Sequence, residues 1–522
     1  MTRNYPYSVD VAIVGSGPTG AAYARILSEL SPEATIATFE VGPQLTATPG
    51  MHVKNISDLA ERAVAQRRSE GPAASGQIST GGPVDTMDGY ADAAPRLVRP
   101  GTFLLPDGYR QEGEDGLPAA AMSSNVGGMG AHWTGACPRP GGQERVAFLD
   151  DLDELLDEAE RLLSVDAHAF DDAPFSAEVR KRLADAVDDG RAEDRRVASM
   201  PLAVVRHDDG SLTWSGSDAV FGDSTRANPN FELFDESLVA RVLTDAGTGA
   251  ARGVRVRDLQ TGEEHEVAAR FVVVAGDSLR TPQLLWASNV RPRALGRYLN
   301  DQPQTVYAVR LRDVEPDEVA DDIPEAAEIT KQSGVNWVPF TDDEPFHGQV
   351  MQLDASPVPL AGDEPGRGTI VGLGWFCAKD LQESDRVEFD DDAVDPYGMP
   401  KMRIHYTLSE ADHRSLEASR ASILRAAAAL GEPLDDSAPL TFPPGASLHY
   451  QGSVRMGAVD DGTSVCGPTS EVWAAPGLFV AGNGVIPTSI ACNPTLLAVA
   501  LAVGGARDIA SRLTARSGEE RN

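Results

Sequence analysis

Three places in the chain combine residue types and spacings that can do chemistry. The first is Gly15-x-Gly17-x-x-Gly20, followed twenty residues later by Glu40. Glycines so spaced let the backbone turn tightly, approach a pyrophosphate and pack a helix on a strand, while the helix start offers amide donors and a positive dipole end. Glu40 stands where such sites hold a ribose, and its charge repels the 2′-phosphate of NADP. An adenine dinucleotide is the reading; the alternative is a purely structural glycine turn. The second place is Val126 to Thr134, where Gly127, Gly128 and Gly130 precede Ala131-His132-Trp133-Thr134. Such glycines let backbone pass close to a flat ligand and then present an imidazole; alone, His132 reads first as a packed, hydrogen-bonded core histidine. The third is the pair His449 and Asn493. Oxidising an alcohol requires a base near neutral pH as hydride leaves the adjacent carbon, which suits a neutral imidazole. An amide beside it can bind the same hydroxyl. Asn493 also precedes Pro494-Thr495, a helix start whose dipole favours negative charge nearby. It could equally be only that helix's N-cap, and His449 alone reads as structural or catalytic.

These groups need elements to hold them. Val9 to Val14 is a β-branched run read as a strand buried on both faces. AAYARILSEL carries a helix that Ser31-Pro32 ends, and Thr35 to Phe39 is a second strand, so the fingerprint lies in a complete βαβ opening. Residues 50 to 120, rich in Gly, Pro and Ser, read as an excursion or loop. Two acidic amphipathic helices are expected over 146–195. From 231 a β-meander ends in a buried strand, Phe271 to Ala275, after which Thr281-Pro282 opens a helix with proline in its first turn. Residues 306–440 mix several strands with the helix ADHRSLEASRASILRAAAAL, which suggests a second sheet. Leu478 to Ala481 is a strand, Gly482-Asn483-Gly484 a turn, and Pro494 to Arg512 an apolar helix. NAD domains continue with further βα repeats; this chain instead has an excursion, a meander and a late return to the first sheet.

The 522 residues carry 45 basic and 79 acidic side chains, a net charge of −34. Nucleic acid and anionic membrane are therefore poor partners. Four scattered cysteines without a CxxC pair argue against a disulfide framework and a zinc site, so no metal is expected. With no signal peptide and no apolar run of about 20 residues, the expected location is cytoplasmic.

Together these motifs resemble the glucose-methanol-choline (GMC) flavin oxidoreductases, and within them the sugar oxidases. The likeness covers nearly the whole chain. It rests on the fingerprint ending at Glu40, VGGMGAHWTGACPRP (126–140), Val273-Val274-Ala275-Gly276 followed by TPQLL, LGRYLNDQP (295–303), and Leu448-His449…Arg455-Met456-Gly457 ahead of GNGVIPTSIACNPTLLA. It implies an α/β (α+β) fold: a Rossmann-type FAD domain (1–50, 118–165, 228–305, 445–522), the excursion 51–117, and an inserted substrate domain (166–227, 306–444) on a second, largely antiparallel sheet with helices. It implies FAD, held by Gly15, Gly17, Gly20, Glu40, Gly128, His132, Trp133, Thr134, Val239, Asn483 and Thr495. His132 matches the histidine that some members bond covalently to the flavin, Thr134 a threonine near N5, and Val239 a valine whose backbone meets the adenine. His449 would be the catalytic base and Asn493 its partner; Gln349 and Asp354, the latter in DASPVP, would bind substrate. The implied reaction is oxidation of a C2 or C3 ring hydroxyl of a pyranose or glycoside, C-glycosides included, with O2 or a quinone as acceptor. A non-sugar alcohol dehydrogenase of the same family and a non-catalytic flavin-binding protein are the alternatives. Ala131 stands where a hydroxyl residue often precedes the linked histidine, which leaves the covalent bond open. No arginine accompanies Gly374-Trp375-Phe376, where sugar oxidases carry one, and the arm and head segments of the large tetrameric members are missing, so monomer or homodimer is expected.

Overall fold

The computed structural model describes residues 4–69, 103–104, 108–171, 173, 175–314, 335–353, 369–434 and 438–519. The opening strand, Ser8–Val14, is fully enclosed at Val11, Ala12 and Ile13, which is why it is β-branched and small. It lies parallel to Ile36–Phe39 on one side and to Glu264–Val274 on the other. The full order of this first sheet is 237–244, 251–258, 264–274, 8–14, 36–39 and 231–234. Glu264–Val274 changes partner along its length. Its first half runs antiparallel to Ala251–Asp258 and its last residues run parallel to Leu478–Val480, so the meander and the C-terminal return join one sheet. Pro18–Leu30 packs on this sheet and against Thr495–Glu519 and Ser217–Ala227.

The second sheet is antiparallel throughout, in the order 431–433, 304–311, 370–377, 346–353, 335–338 and 198–199. Phe346, Val350, Val371, Leu373 and Trp375 face helices Ser176–Val187 and Glu410–Leu430. Because side chains alternate along a strand, His347, Gln349 and Phe376 face the other way. Both expected acidic helices form, as Leu152–Leu163 and Ser176–Val187. The hairpin Arg386–Val394 and Pro400–His405 makes a separate two-stranded sheet.

Three expectations need correction. The excursion is not all loop: Leu59–Arg68 is a helix, started by the Asp58 carboxylate accepting from the Glu61 amide at 2.8 Å and built of good helix formers. Residues 217–227, grouped above with the substrate region, bury Val220 and Phe221 in the first core. The helix expected to open at Thr281-Pro282 begins at Asp277 and carries Pro282 inside it. Asp277 starts that helix by accepting from the amides of Leu279 and Arg280. Pro282 has no N–H for the Ser278 carbonyl one turn back. The Ser453 hydroxyl donates to that carbonyl instead, at 2.6 Å in a buried setting.

Among the described residues no helix is long and apolar enough to cross a membrane, and no group of three or more His, Cys, Asp or Glu is placed to hold a metal ion. All four cysteines are buried and unpaired. Ser453→Ala, which orphans the Ser278 carbonyl, is expected to lower unfolding free energy by about 1–3 kcal/mol in urea titrations. An unchanged midpoint and slope would show that another group satisfies that carbonyl.

Candidate active site

A long cleft opens at the carboxyl ends of Ser8–Val14, Ile36–Phe39 and Glu264–Val274, the side on which open α/β sheets bind ligands. Gly15 turns with φ of +99°, and a Cβ there would stand 2.3 Å from the Ala275 carbonyl oxygen. On Gly20 a Cβ would meet the Gly15 carbonyl oxygen at 2.1 Å, so Gly20 serves helix-on-strand packing and does not line the cleft. Gly17 does line it, and a Cβ there would touch no protein atom within 4 Å. The room is left for something other than protein. Glu40 is buried at the cleft wall, where its carboxylate accepts from the Ser16 amide at 3.1 Å, the Ser16 hydroxyl at 2.7 Å and the Gly42 amide at 3.0 Å. Burial raises its pKa and these donors oppose the rise.

The structure brings Gly128, His132, Trp133, Thr134, Val239, Asn483 and Thr495 to the same cleft as Gly15, Gly17 and Glu40. His132 Nε2 lies 2.9 Å from Asn125 Oδ1; Asn125 donates its own amide to the Val126 carbonyl, so the imidazole is the donor. Its Nδ1 is enclosed with no partner among the described residues. An extended apolar cleft, an open cradle at Gly17, a fixed acid at Glu40 and an unpartnered imidazole nitrogen together fit an adenine dinucleotide carrying a flat ring system.

His449 and Asn493 face the other end of the cleft, with Asn493 Nδ2 at 3.3 Å from His449 Nε2. Which edge of each amide faces the imidazole follows from the outer partners. Gln302 Nε2 donates to the Ile490 and Cys492 carbonyls at 2.9 and 2.8 Å, which turns its Oε1 to His449 Nδ1 at 2.7 Å. An amide oxygen only accepts, so Nδ1 carries the proton and the lone pair lies on Nε2. Gln349 Nε2 donates to Asn493 Oδ1 at 2.7 Å, which turns the Asn493 NH2 toward that lone pair. Gln349 is thus joined to the pair although it does not line the cleft itself. Asn493 spends its oxygen on Gln349, and the first helical bond, from Ala498 N, goes to Pro494 O. Asp354 lies outside the described residues.

Several functional neighbours escape a reading of motifs alone. Asp301 accepts from the Gly445 amide at 2.7 Å and from the Ser447 hydroxyl, and Ser447 Oγ accepts from the His449 amide at 3.0 Å. This brace holds Leu448 at φ +60°, a costly conformation that aims His449 into the cleft. Glu144, wholly buried, accepts from the Ala491 and Cys492 amides at 2.8 and 2.9 Å and so fixes the loop before Asn493. Phe376 packs on His449 with ring centroids 5.5 Å apart and on His347 at 5.3 Å. Asp301 and Gln302 belong to LGRYLNDQP, whose signal was present in the sequence without a role attached.

Profiles of the GMC oxidoreductases match residues 148–304 and 383–502. The chain belongs to the GMC oxidoreductase family. Among GMC relatives, it is 64% identical to a C-glycoside 3-oxidase of Microbacterium trichothecenolyticum, over 98% of this chain and 99% of that one. A C-glycoside 3-oxidase of Arthrobacter globiformis is 62% identical over 98% and 96%, and a pyranose 2-oxidase of Tricholoma matsutake 32% identical over 97% and 94%. The formate oxidase of Aspergillus oryzae superposes with a TM-score of 0.66 at 15% identity, covering 98% of this chain and 99% of that one, a likeness of fold. The protein is an oxidoreductase of the GMC family, with the α/β architecture expected above.

His347 lies wholly buried with neither ring nitrogen hydrogen-bonded among the described residues, and desolvation lowers its pKa to about 3. The unfolded chain, with an imidazole pKa near 6.5, therefore takes up one proton more than the fold between about pH 6.5 and 3. Stability is lost as pH falls through that window, by up to about 1.4 kcal/mol per pH unit. His347→Leu is expected to match or exceed the parent at pH 7 and to gain on it steadily toward pH 4.5 in denaturant titrations. Parallel pH profiles for the two proteins would refute a neutral, unpartnered His347.

Proposed function

We propose that the protein is an FAD-dependent oxidase of pyranose glycosides, C-glycosides included, that converts a secondary ring hydroxyl at C3 to a ketone. The observation that carries this reading is the oriented pair His449–Asn493, 3.3 Å apart in a cleft that begins with a dinucleotide fingerprint. The 64% identity to a C-glycoside 3-oxidase favours C3 and glycosides over C2 and free sugars.

In this reading Gly17, Glu40, Gly128, Val239, Asn483 and Thr495 hold the cofactor along the cleft. When bound, the flavin supplies the acceptor for the hydride and passes two electrons on to dioxygen or a quinone. The protein's own groups manage the proton. Asn493 Nδ2 and His449 Nε2 converge on the reacting hydroxyl, and Nε2 takes its proton as the carbon becomes a carbonyl. The resulting imidazolium keeps its Nδ1–H on Gln302 Oε1, which stabilises the charge on that side of the ring. Gln349 locks Asn493 in register and acts on the sugar only through that amide. For His132, Nε2–H is committed to Asn125, so a covalent bond to the flavin would run through Nδ1. Acid precipitation reads this directly, since a yellow pellet requires the bond and a yellow supernatant excludes it.

Mixed anaerobically with glycosides, the FAD-loaded parent is expected to bleach and to yield the 3-keto product. His449→Ala should retain FAD and bleach about 10²–10⁴-fold more slowly; near-parental bleaching with every sugar and glycoside tried would sink the mechanism. Gln302→Leu removes the acceptor that stabilises the protonated imidazole. It should lower the bleaching rate at saturating substrate more than it alters the half-saturating concentration, and shift the acidic limb of the pH–rate profile to lower pH. A profile superimposable on the parent's would show that Gln302 does not act on His449.

A further inference from the structure

The turn between Arg386–Val394 and Pro400–His405 is the tip of a two-stranded hairpin, a place that ordinarily projects into water. Here it is folded inward. Met399 is only 5% exposed and packs in the first core, and Tyr397 and Met399 line the cleft alongside Glu40 and Val239. The tip is fastened from two sides. From the helix that follows Glu264–Val274, Arg280 pairs with Asp395, and Gln283 Nε2 donates to Asp395 Oδ2 at 3.1 Å and to the Pro400 carbonyl at 2.7 Å. Across the cleft, the Tyr397 hydroxyl donates to Ser124 Oγ at 2.9 Å, and the Arg280 guanidinium lies 5.2 Å over the Tyr397 ring. Asp395 Oδ1 accepts from the Tyr397 and Met399 amides at 2.9 and 3.0 Å, which keeps the tip rigid.

We propose that this hairpin tip, through Tyr397 tied to Ser124, is a clasp that closes over the adenosine half of the cofactor and slows its release. The proposal rests on the FAD reading above, in which Glu40 and Val239 mark the adenosine end. The Arg280–Asp395 side is the hinge, because Arg280 and Gln283 belong to the fixed helix Asp277–Ala287. The Tyr397 side is the catch: its hydroxyl bond to Ser124 and its ring close over the cleft, while its carbonyl accepts from Arg257 Nη1 at 3.2 Å. Releasing the Tyr397 side chain from Ser124 leaves Met399 in the first core, so the catch governs the rate of exchange without unfolding the hairpin.

The test uses the full chain in the His132→Ala background, where no imidazole bond can retain flavin, with FAD release followed by the rise in flavin fluorescence on dilution. Tyr397→Ala is expected to speed FAD release about tenfold or more, and Tyr397→Phe and Ser124→Ala each a fewfold. FMN, which lacks the adenosine, should bind all variants with the affinity of the background protein. Unchanged FAD release in all three variants overturns the clasp, as does an equal weakening of FMN and FAD, which would mark a merely structural contact. Failure of the background protein to bind FAD at all, with the parent chain also colourless, would overturn the flavin reading and the clasp together.

Discussion

An imidazole can carry its proton on either nitrogen, and only one choice leaves it able to take a proton from a substrate. In this protein the choice is made by two primary amides that are themselves fixed from outside. Gln302 is turned by two backbone carbonyls and Asn493 by Gln349, so His449 is left with its lone pair on the nitrogen that faces the cleft. Each group has a single satisfactory orientation, and reversing any amide would place two acceptors or two donors face to face at a cost of about 1–3 kcal/mol.

That chain gathers much of the architecture. Gln302 leads into the first long strand of the second sheet, Gln349 lies in the middle of that sheet, His449 follows the segment braced by Asp301, and Asn493 precedes the last helix of the first core. The two sheets have separate apolar cores. Where the chemistry is, their meeting is polar. Buried groups that look costly in isolation, such as Glu144 and Asp301, earn their place by holding the two loops that deliver Asn493 and His449. The same division explains the cofactor cleft: the first sheet supplies its floor, and a hairpin outside both large sheets supplies a wall.

Local chemistry was legible in the sequence. Gly15, Gly17, Gly20 and Glu40 lie within 26 residues and are constrained by backbone sterics, which spacing records directly. His449 and Asn493 were legible as residue types, but their partners were not, because Gln302 and Gln349 lie 147 and 144 residues from the groups they orient. Periodicity carries no trace of such a pairing. Pro282 was misplaced for the same reason: a proline rule places it at a helix start, and the Ser453 hydroxyl that permits it mid-helix comes from 175 residues away. Leu59–Arg68 was lost in the Gly/Pro-rich composition that follows it, and no motif or spacing marks the inward fold of the tip at Tyr397.

The chemistry depends on the tautomer of one side chain, and nitrogen-15 NMR of the histidine-labelled protein, with His449 assigned by its absence in His449→Ala, measures it directly. The expected spectrum at neutral pH shows His449 neutral, with a protonated Nδ1 and a bare Nε2. A signal from a protonated Nε2 and a bare Nδ1 would contradict the orientation of Gln302 and Asn493 and remove the base from the site.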